Sequence, residues 1–269
     1  MSQPRKQLDG QETRGKTARN RLRRVDLFAM LYDRSLLKRP DSAVFVDLGY
    51  GAYPFTVLES AARLRELNAQ LKVIGVEIDP ARVAEGEPYQ DALTDFRLGG
   101  FNIPLHQGES ARLIRAFNVL RQYDEPAVLP AHRQMIAYLE PDGLLLEGTS
   151  NRFGQLWVSN VIRRTAEGGC YEALVFSTNF RLGFDPADFQ PVLPKNFIHR
   201  MVAQEPIFDF MEAWKVAYFQ SLGYRDWGPK QLFLATAERL AEMGWPVETG
   251  RRWLQKGFLI WKRQETFNC

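Results

Sequence analysis

The stretch AVFVDLGYGAYPF (residues 43–55) decides the fold. Its first six residues form an almost unbroken apolar run, which is typical of a strand buried on both faces of a parallel sheet. Two glycines follow, and residues 55–67 then repeat apolar side chains at helical spacing. Pro54 suits the first turn of that helix, because its missing N–H would be unpaired there. The stretch therefore predicts a strand, a glycine-rich turn and a helix.

Strand and helix patterns keep alternating up to residue 149. A helix is predicted within 125–139, and the later segments 156–164 and 171–178 are predicted to pair as an antiparallel hairpin. Such alternation implies right-handed crossovers and a doubly wound α/β fold with a mostly parallel, seven-stranded sheet. The other predicted strands are 71–78, 96–101, 111–117 and 143–147.

The composition excludes several classes of protein. The two cysteines, Cys170 and Cys269, are too few for a disulfide framework or a Cys-rich zinc site, and the three histidines have no i,i+4 partner. No apolar run approaches the roughly 18–20 residues that a membrane span needs. The first residues lack the apolar region of a secretion signal. We therefore expect a cytoplasmic protein without a metal site.

The charge is concentrated at the N-terminus. Residues 1–39 carry a formal charge of +7, and the rest of the chain carries −4. Residues 17–37 repeat apolar side chains at helical spacing, so we expect an amphipathic helix with Arg19, Arg21, Arg23 and Arg24 near its start. A basic segment on a mildly acidic body is the pattern of an arm that meets an anionic partner.

Two acidic residues stand at predicted strand ends. In doubly wound sheets the ligand binds beyond the carboxyl ends of the strands, where the strand order reverses. Glu77 ends the second strand and could accept two ribose hydroxyls, whereas Asp47 is a buried carboxylate that needs a partner. A ligand ammonium would supply that partner. In addition, Pro54 stands where a dinucleotide-binding fingerprint, Gly-x-Gly-x-x-Gly, has its third glycine. These features favour a nucleoside ligand with a positive charge over NAD.

The sequence resembles that of the class I S-adenosylmethionine-dependent methyltransferases. The matching segments are VDLGYGA (46–52), GVEID (75–79), LGGFN (98–102), IRAFNVLRQY (114–123) and LEPDGLLLEG (139–148). The resemblance implies a Rossmann-like core over 40–182, preceded by a basic tail and helix (1–39) and followed by a helical, substrate-side region (183–269). The Asn-Pro-Pro-Tyr signature of amino-group methylases is absent, so methylation of an exocyclic amine is not expected.

The resemblance also implies S-adenosylmethionine as the cofactor and assigns its site. Asp47, Gly49 and Gly51 would surround the methionine end of the cofactor. Glu77 would hold the ribose, and Ile78 would contact the adenine. The full set that would line the site is Asp47, Gly49, Tyr50, Gly51, Glu77, Ile78, Gly99, Gly100, Phe101, Ala116 and Asn118.

A hydroxyl nucleophile would need a general base in addition. The candidates from the sequence are His199, Glu147 and Tyr123, with His132 more typical of a helix surface or core edge. Arg115 and Arg121 are more typical of surface ion pairs than of a substrate clamp. The sequence does not single out one catalytic residue.

Three functions remain open on the sequence alone. The first is a methyltransferase acting on RNA, with the basic arm as the RNA contact. The second is a methyltransferase acting on a small molecule or a protein. The third is a Rossmann-like protein that binds NAD as an oxidoreductase, or that binds S-adenosylmethionine or another nucleotide without catalysis.

Overall fold

A computed structural model of the chain describes residues 8–11 and 18–268. This part contains one mixed sheet with helices on both sides. The strands are β1 (Val44–Leu48), β2 (Val73–Glu77), β3 (Thr94–Leu98), β4 (Ala111–Phe117), β5 (Leu139–Ser150), β6 (Leu156–Arg164), β7 (Gly168–Thr178) and β8 (Phe258–Asn268). The helices are α1 (Arg23–Tyr32), α2 (Arg34–Lys38), α3 (Phe55–Leu64), α4 (Pro80–Gly86), α5 (Val128–Ile136), α6 (Lys195–Ile198), α7 (Pro206–Gln220), α8 (Pro229–Glu242) and α9 (Arg251–Leu254).

The sheet confirms the predicted fold class and corrects its strand count. The order is β3-β2-β1-β4-β5-β6-β7-β8, with parallel pairing from β3 to β5 and antiparallel pairing from β5 to β8. The prediction of seven strands is wrong, because β8 adds an eighth along β7. The sequence of residues 253–261 is compatible with a strand or a helix, and in the structure it divides into the end of α9 and the start of β8.

Burial explains why the central strands were recognisable. Every residue of β1, β2 and β4 is buried, as expected for parallel strands covered by helices on both faces. One apolar layer, which includes Phe28, Phe45 and Trp157, lies under α1 and α3. A second layer, with Met135 and Ile136 of α5, covers the other face of the parallel strands.

The C-terminal region covers the antiparallel half of the sheet. Phe210 and Trp214 of α7 pack on Phe176 of β7, with ring centroids 5.3 and 5.0 Å apart. Apolar side chains at helical spacing predict helices over 205–222 and 229–243, and α7 and α8 agree closely with both. Because β8 completes the main sheet, the last segment of the chain is joined to the core by backbone hydrogen bonds. The three-region division of the chain stays a prediction.

The N-terminal helix is shorter than predicted and is interrupted. It begins at Arg23 rather than at residue 17 and ends at Tyr32. The carboxylate of the next residue, Asp33, accepts the N–H of Leu36 and so caps a second helix, α2. Part of the predicted span, residue 17, lies outside the described residues. No helix in the described ranges is long and apolar enough to cross a membrane.

A buried charge network joins α1 to the centre of the sheet. The guanidinium of Arg115 on β4 donates to both carboxylate oxygens of Asp47 on β1, at 3.0 and 2.8 Å, and also contacts the carboxylate of Asp26 on α1. All three residues are at most 2% exposed. Burial alone would lower the pKa of Arg115, but the two carboxylates raise it, so this side chain stays charged. The surface role expected for Arg115 is therefore wrong.

We expect Arg115→Met to lower the free energy of unfolding by about 3–5 kcal/mol, because the buried carboxylate of Asp47 loses its counter-charge and that of Asp26 keeps its pair with Arg63 but loses the one with Arg115. Urea unfolding followed by circular dichroism measures this change. Arg239→Met is the control, since Arg239 forms a surface pair with Glu242 in which the side chains are 49% and 64% exposed. It should shift stability by less than about 0.5 kcal/mol. Equal effects of the two substitutions would contradict a structural role for the network.

Candidate functional site

The strand order reverses between β1 and β4, and two adjoining cavities lie at this switch point. Ligands of doubly wound sheets bind at such a point, beyond the carboxyl ends of the strands. Both cavities are lined by Leu48 and Gly49, so they meet at the end of β1. The first cavity is also lined by Asp9, Gly10, Gln11, Glu77, Ile78, Gly99, Gly100, Phe101, Val119 and Tyr123. The second is also lined by Arg21, Leu22, Asp47, Tyr50, Gly51, Thr56, Phe117 and Asn118.

Glu77 is buried at the end of β2 with its carboxylate fixed by backbone groups. One oxygen accepts the N–H of Gly51 and the other accepts the N–H of Ile78, each at 2.9 Å. Arg82 lies 3.7 Å from the first of these oxygens. A carboxylate has about four acceptor positions, so each oxygen still has capacity for one further donor. This geometry suits a pair of adjacent hydroxyls.

A hydrogen-bond donor of the first cavity's lining stands beside an acceptor from the next residue in the chain. The donor is the backbone N–H of Phe101, and the acceptor is the side-chain oxygen of Asn102. Both are engaged by the peptide groups of Asp9: Phe101 donates to the Asp9 carbonyl at 2.8 Å, and the Asp9 N–H donates to Asn102 Oδ1 at 3.1 Å. Residues 8–11, called the strap from here on, thus lie against the cavity.

Tyr123 closes the first cavity from the side. Its ring lies 5.3 Å from that of Phe101, and its hydroxyl accepts the backbone N–H of Gln11. Burial raises the pKa of Tyr123. A phenol with a raised pKa is a poor base at neutral pH, so the expected role of Tyr123 as a general base gains no support from its surroundings.

In the second cavity, Asp47 already has its partners within the protein. Its carboxylate accepts the Thr56 hydroxyl at 2.6 Å besides the two bonds from Arg115. The sequence places Asp47 at the cavity, and the structure agrees. The expectation that Asp47 needs a ligand ammonium as its partner is wrong, because Arg115 supplies the positive charge.

Arg21 is a cavity residue that the sequence reasoning did not assign. Its guanidinium donates to the hydroxyl and carbonyl of Ser150 and to the carbonyl of Asn151, at 3.0–3.2 Å. All three acceptors are uncharged, and burial together with Arg121 lowers the pKa of Arg21. The only signal in the sequence was the basic cluster itself, which does not say which arginine turns inward.

The other arginines of the cluster are largely committed to the body of the protein. Arg24 donates to the Ser177 hydroxyl at 3.0 Å and lies over the ring of Phe258 at 4.7 Å. Burial lowers the pKa of Arg24 to about 10. Arg19 lies over the ring of Phe55 at 4.4 Å. These contacts dock the arm on the fold, so the cluster near α1 is not simply an anion-facing surface.

Asn118 forms the floor of the second cavity, whereas Ala116 does not reach it. Asn118 has a left-handed backbone, with φ of 63°, which asparagine adopts more readily than most residues. Its side chain exchanges hydrogen bonds with the N–H and the hydroxyl of Ser150, at 3.0 and 3.2 Å. Ala116 is fully buried within β4 and lines neither cavity.

Tyr50 also lines the second cavity, but its hydroxyl turns away to donate to the carbonyl of Arg82 at 2.9 Å. Burial, with the nearby carboxylates of Glu77 and Asp47, raises the pKa of Tyr50. The cavity therefore receives the body of this ring rather than its polar end.

Two of the suggested general bases lie outside both cavities. His199 is exposed at the end of α6. Glu147 is buried on β5, where it accepts the side-chain amide of Asn160 at 2.8 Å and faces His132 at 3.3 Å. His132 in turn contacts the Tyr171 hydroxyl at 2.8 Å, so this is a polar cluster within the core. In the ranges that the structure covers, no group of His, Cys, Asp and Glu has the arrangement of a metal site.

Comparisons with known proteins give partial matches to solved structures. No family model and no curated protein matches the chain. A putative sarcosine dimethylglycine methyltransferase from Galdieria sulphuraria matches with 18% identity over 47% of this chain and 45% of that one, with a TM-score of 0.36. An amino pentose methyltransferase from Micromonospora echinaspora, solved with bound S-adenosylmethionine, matches with 22% identity over 56% and 66%, with a TM-score of 0.34.

A third match is to a structure described as a pericyclic reaction enzyme, with 18% identity over 45% of this chain and 30% of that one and a TM-score of 0.35. The chain therefore spans less than two thirds of the length of these structures. Methyltransferases are frequent among the matches, and the matches leave the substrate of this chain open.

Proposed function

We propose that this protein is an S-adenosylmethionine-dependent methyltransferase whose cofactor spans the two cavities. The observation that carries the proposal is the position of Glu77. It stands at the end of β2, beside the switch point, with one acceptor position left on each oxygen. A ribose diol is the ligand group that matches this arrangement. Adenine would then extend into the first cavity and the amino-acid moiety into the second.

The first cavity supports adenine as the base. The Watson–Crick edge of adenine offers an acceptor, N1, beside a donor, the amino group. The Phe101 N–H and the Asn102 side-chain oxygen form the complementary pair, and they already bind the carbonyl and the N–H of Asp9, which present the same acceptor and donor. The apolar side chain of Ile78 lines the same cavity and would contact the face of the base.

The second cavity supports a zwitterionic amino acid with its carboxylate held by Arg21. The inward-facing cation lies on the same cavity as Gly51 and Thr56, close to the start of α3. The first turn of a helix favours negative charge, because its N–H groups are unpaired. Asp47 lines the same cavity, and its pairing with Arg115 removes the cost of an isolated buried carboxylate.

Methyl transfer needs little chemistry from the protein once the reactants are aligned. The sulfonium of S-adenosylmethionine supplies the electrophilic methyl group, and the chain has to position a nucleophile in line and exclude water. Asn118, fixed by Ser150, lines the second cavity where β4 and β5 end. We infer that the methyl acceptor enters on this side.

A second candidate is a protein that binds S-adenosylmethionine without transferring its methyl group. One observation favours it: among the described residues that line the two cavities there is no histidine, and Glu77 and Asp47 are both held by other groups. A nucleophile with a low pKa, such as a thiolate or a carboxylate, would need no base and is compatible with the first candidate. An NAD-dependent oxidoreductase is the remaining alternative.

The deciding experiment uses cofactor labelled in its methyl group. The full-length protein is incubated with RNA, protein and metabolite fractions of the source cell, and label is followed in each fraction. Transfer into one fraction supports the methyltransferase and identifies its substrate class. Titration with S-adenosylhomocysteine and with NAD separates the alternatives. Binding of S-adenosylhomocysteine without transfer into any fraction favours the silent binder, and equal affinity for NAD overturns the cofactor.

Glu77→Gln should weaken the binding of S-adenosylhomocysteine by about 1–3 kcal/mol, because the amide nitrogen cannot accept a hydroxyl in a buried position. Isothermal titration gives the affinity. Glu147→Gln is the matched control, since Glu147 is an equally buried glutamate that lines neither cavity. It should leave the affinity within about twofold of the wild type. An unchanged affinity for a folded Glu77→Gln protein would contradict the ribose contact.

Arg21→Gln should weaken the binding of S-adenosylhomocysteine by roughly tenfold, the lower end expected for the loss of a hydrogen bond to a charged group. It should leave the affinity for methylthioadenosine unchanged, because that ligand lacks the amino-acid moiety. Titration of both ligands therefore isolates the carboxylate contact. Arg24→Gln is the control, because Arg24 is bound to Ser177 and lies outside both cavities. An equal loss of affinity for the two ligands would contradict a contact between Arg21 and the ligand carboxylate.

A further inference from the structure

We propose that the strap, residues 8–11, is an intramolecular competitor for the adenine subsite, so that cofactor binding requires its release. This inference rests on the proposed function, because it assumes that an adenine enters the first cavity. The inference is drawn from the hydrogen bonds of the strap. They occupy the Phe101 N–H and the Asn102 side-chain oxygen, the two groups to which adenine would bind.

The strap is an exposed segment that makes four hydrogen bonds to residues around the first cavity. Two join Asp9 to Phe101 and Asn102, at 2.8 and 3.1 Å. Gln11 makes the other two: its N–H donates to the Tyr123 hydroxyl, and its carbonyl accepts the side-chain amide of Gln122 at 2.9 Å. All four bonds use a backbone N–H or carbonyl of the strap. Their partners are Phe101, Asn102, Tyr123 and Gln122.

Phe101 makes the competition strict. A backbone N–H has a single proton, so it can serve either the Asp9 carbonyl or adenine N1 in a well-aligned bond, and not both. The side-chain oxygen of Asn102 has two lone pairs, and the N–H groups of Asp9 and Gly100 already use both, at 3.1 and 3.3 Å. An adenine amino group would therefore have to displace the Asp9 N–H there, and the strictest exclusion lies at Phe101.

The space above Gly100 is occupied as well. A Cβ atom built on Gly100 would lie 1.9 Å from the Asp9 carbonyl oxygen, so the strap rests directly on this glycine. Gly100 does not have a positive φ, so its backbone conformation alone does not demand glycine. The missing side chain instead leaves room for a flat group against the backbone. The peptide of Asp9 takes that room, and the edge of an adenine ring would need the same place.

Closure of the strap also depends on a glycine of its own. Gly10 has a φ of 152°, and a Cβ there would lie 3.1 Å from Ile78 Cδ1 and 3.3 Å from the Tyr123 hydroxyl. A side chain at this position would strain the backbone and crowd two cavity residues. Substitution of Gly10 should therefore open the strap while leaving every residue of the sheet and its turns unchanged.

The consequence is a measurable loss of affinity. When the binding-competent state is only fractionally populated, the apparent dissociation constant rises by the inverse of that fraction. If the strap is closed in most molecules, we expect Gly10→Ala to bind S-adenosylhomocysteine about 3- to 10-fold more tightly than the wild type. Hydrogen exchange at the Phe101 amide should become faster in the ligand-free variant, since the amide loses its acceptor.

The test compares full-length wild type, Gly10→Ala and Gly108→Ala by titration with S-adenosylhomocysteine and by hydrogen exchange. Gly108 is the matched control, because it also has a positive φ, of 84°, but a Cβ added there would meet no atom within 4 Å. It should reproduce the wild type in both measurements. Asp9→Pro is a second variant, which removes the N–H that Asn102 accepts, and it should act in the same direction as Gly10→Ala.

The outcomes separate this inference from the proposed function. Tighter binding by Gly10→Ala and Asp9→Pro, with faster exchange at Phe101, supports the competing strap. Equal or weaker binding by both variants overturns it, because the strap would then be neutral or would cover a bound cofactor. If S-adenosylhomocysteine binds to none of the proteins, the proposed function and this inference fail together.

Discussion

The buried ion pair of Arg115 with Asp47 is the interaction on which the site depends. In the register of the sheet these two residues stand opposite one another on β4 and β1, the strands between which the order reverses. The same guanidinium contacts Asp26, so one cation ties the two strands to α1. Because α1 is held at that point, Arg21 and Leu22, which directly precede it, reach the second cavity. The N-terminal arm is therefore part of the architecture of the site.

The parallel half of the fold was predictable because its strands are buried on both faces. A run such as residues 43–48 has no polar face to satisfy, so the apolar letters alone indicate the strand and its end. The eighth strand gave no such signal. Only the first residues of β8 are buried, and from Lys262 onward its side chains are mostly exposed. Its place is set by backbone hydrogen bonds to β7, which the pattern of side chains does not encode.

The position of Asp47 and Glu77 was predictable, and the partner of Asp47 was not. The glycine turn and the strand ends depend on local sequence, whereas the pairing with Arg115 depends on the register between two strands that lie far apart in the chain. One signal was present nonetheless. The run 111–117 contains Arg112 and Arg115 within a strand buried on both faces, and a buried arginine needs acceptors. Arg112 finds them in backbone carbonyls, including that of Ala43 at 2.8 Å.

The basic cluster near α1 was equally visible in the sequence, but its partners were not. Arg21 and Arg24 bind uncharged oxygens of the protein itself. Composition gives the number of charges, and only the fold gives their partners.

The two anchors of the arm also differ in strength. Around α1, Arg115 and Asp26 are buried and fully paired, so releasing the helix would expose uncompensated charges in the core. The strap is held by a few hydrogen bonds at the surface, each worth only about 0.5–1.5 kcal/mol net. Of the two cavities, the first therefore opens at a far smaller cost. A ligand that reaches both would enter at the end where Phe101 is released and would meet Arg21 in a site that is already formed.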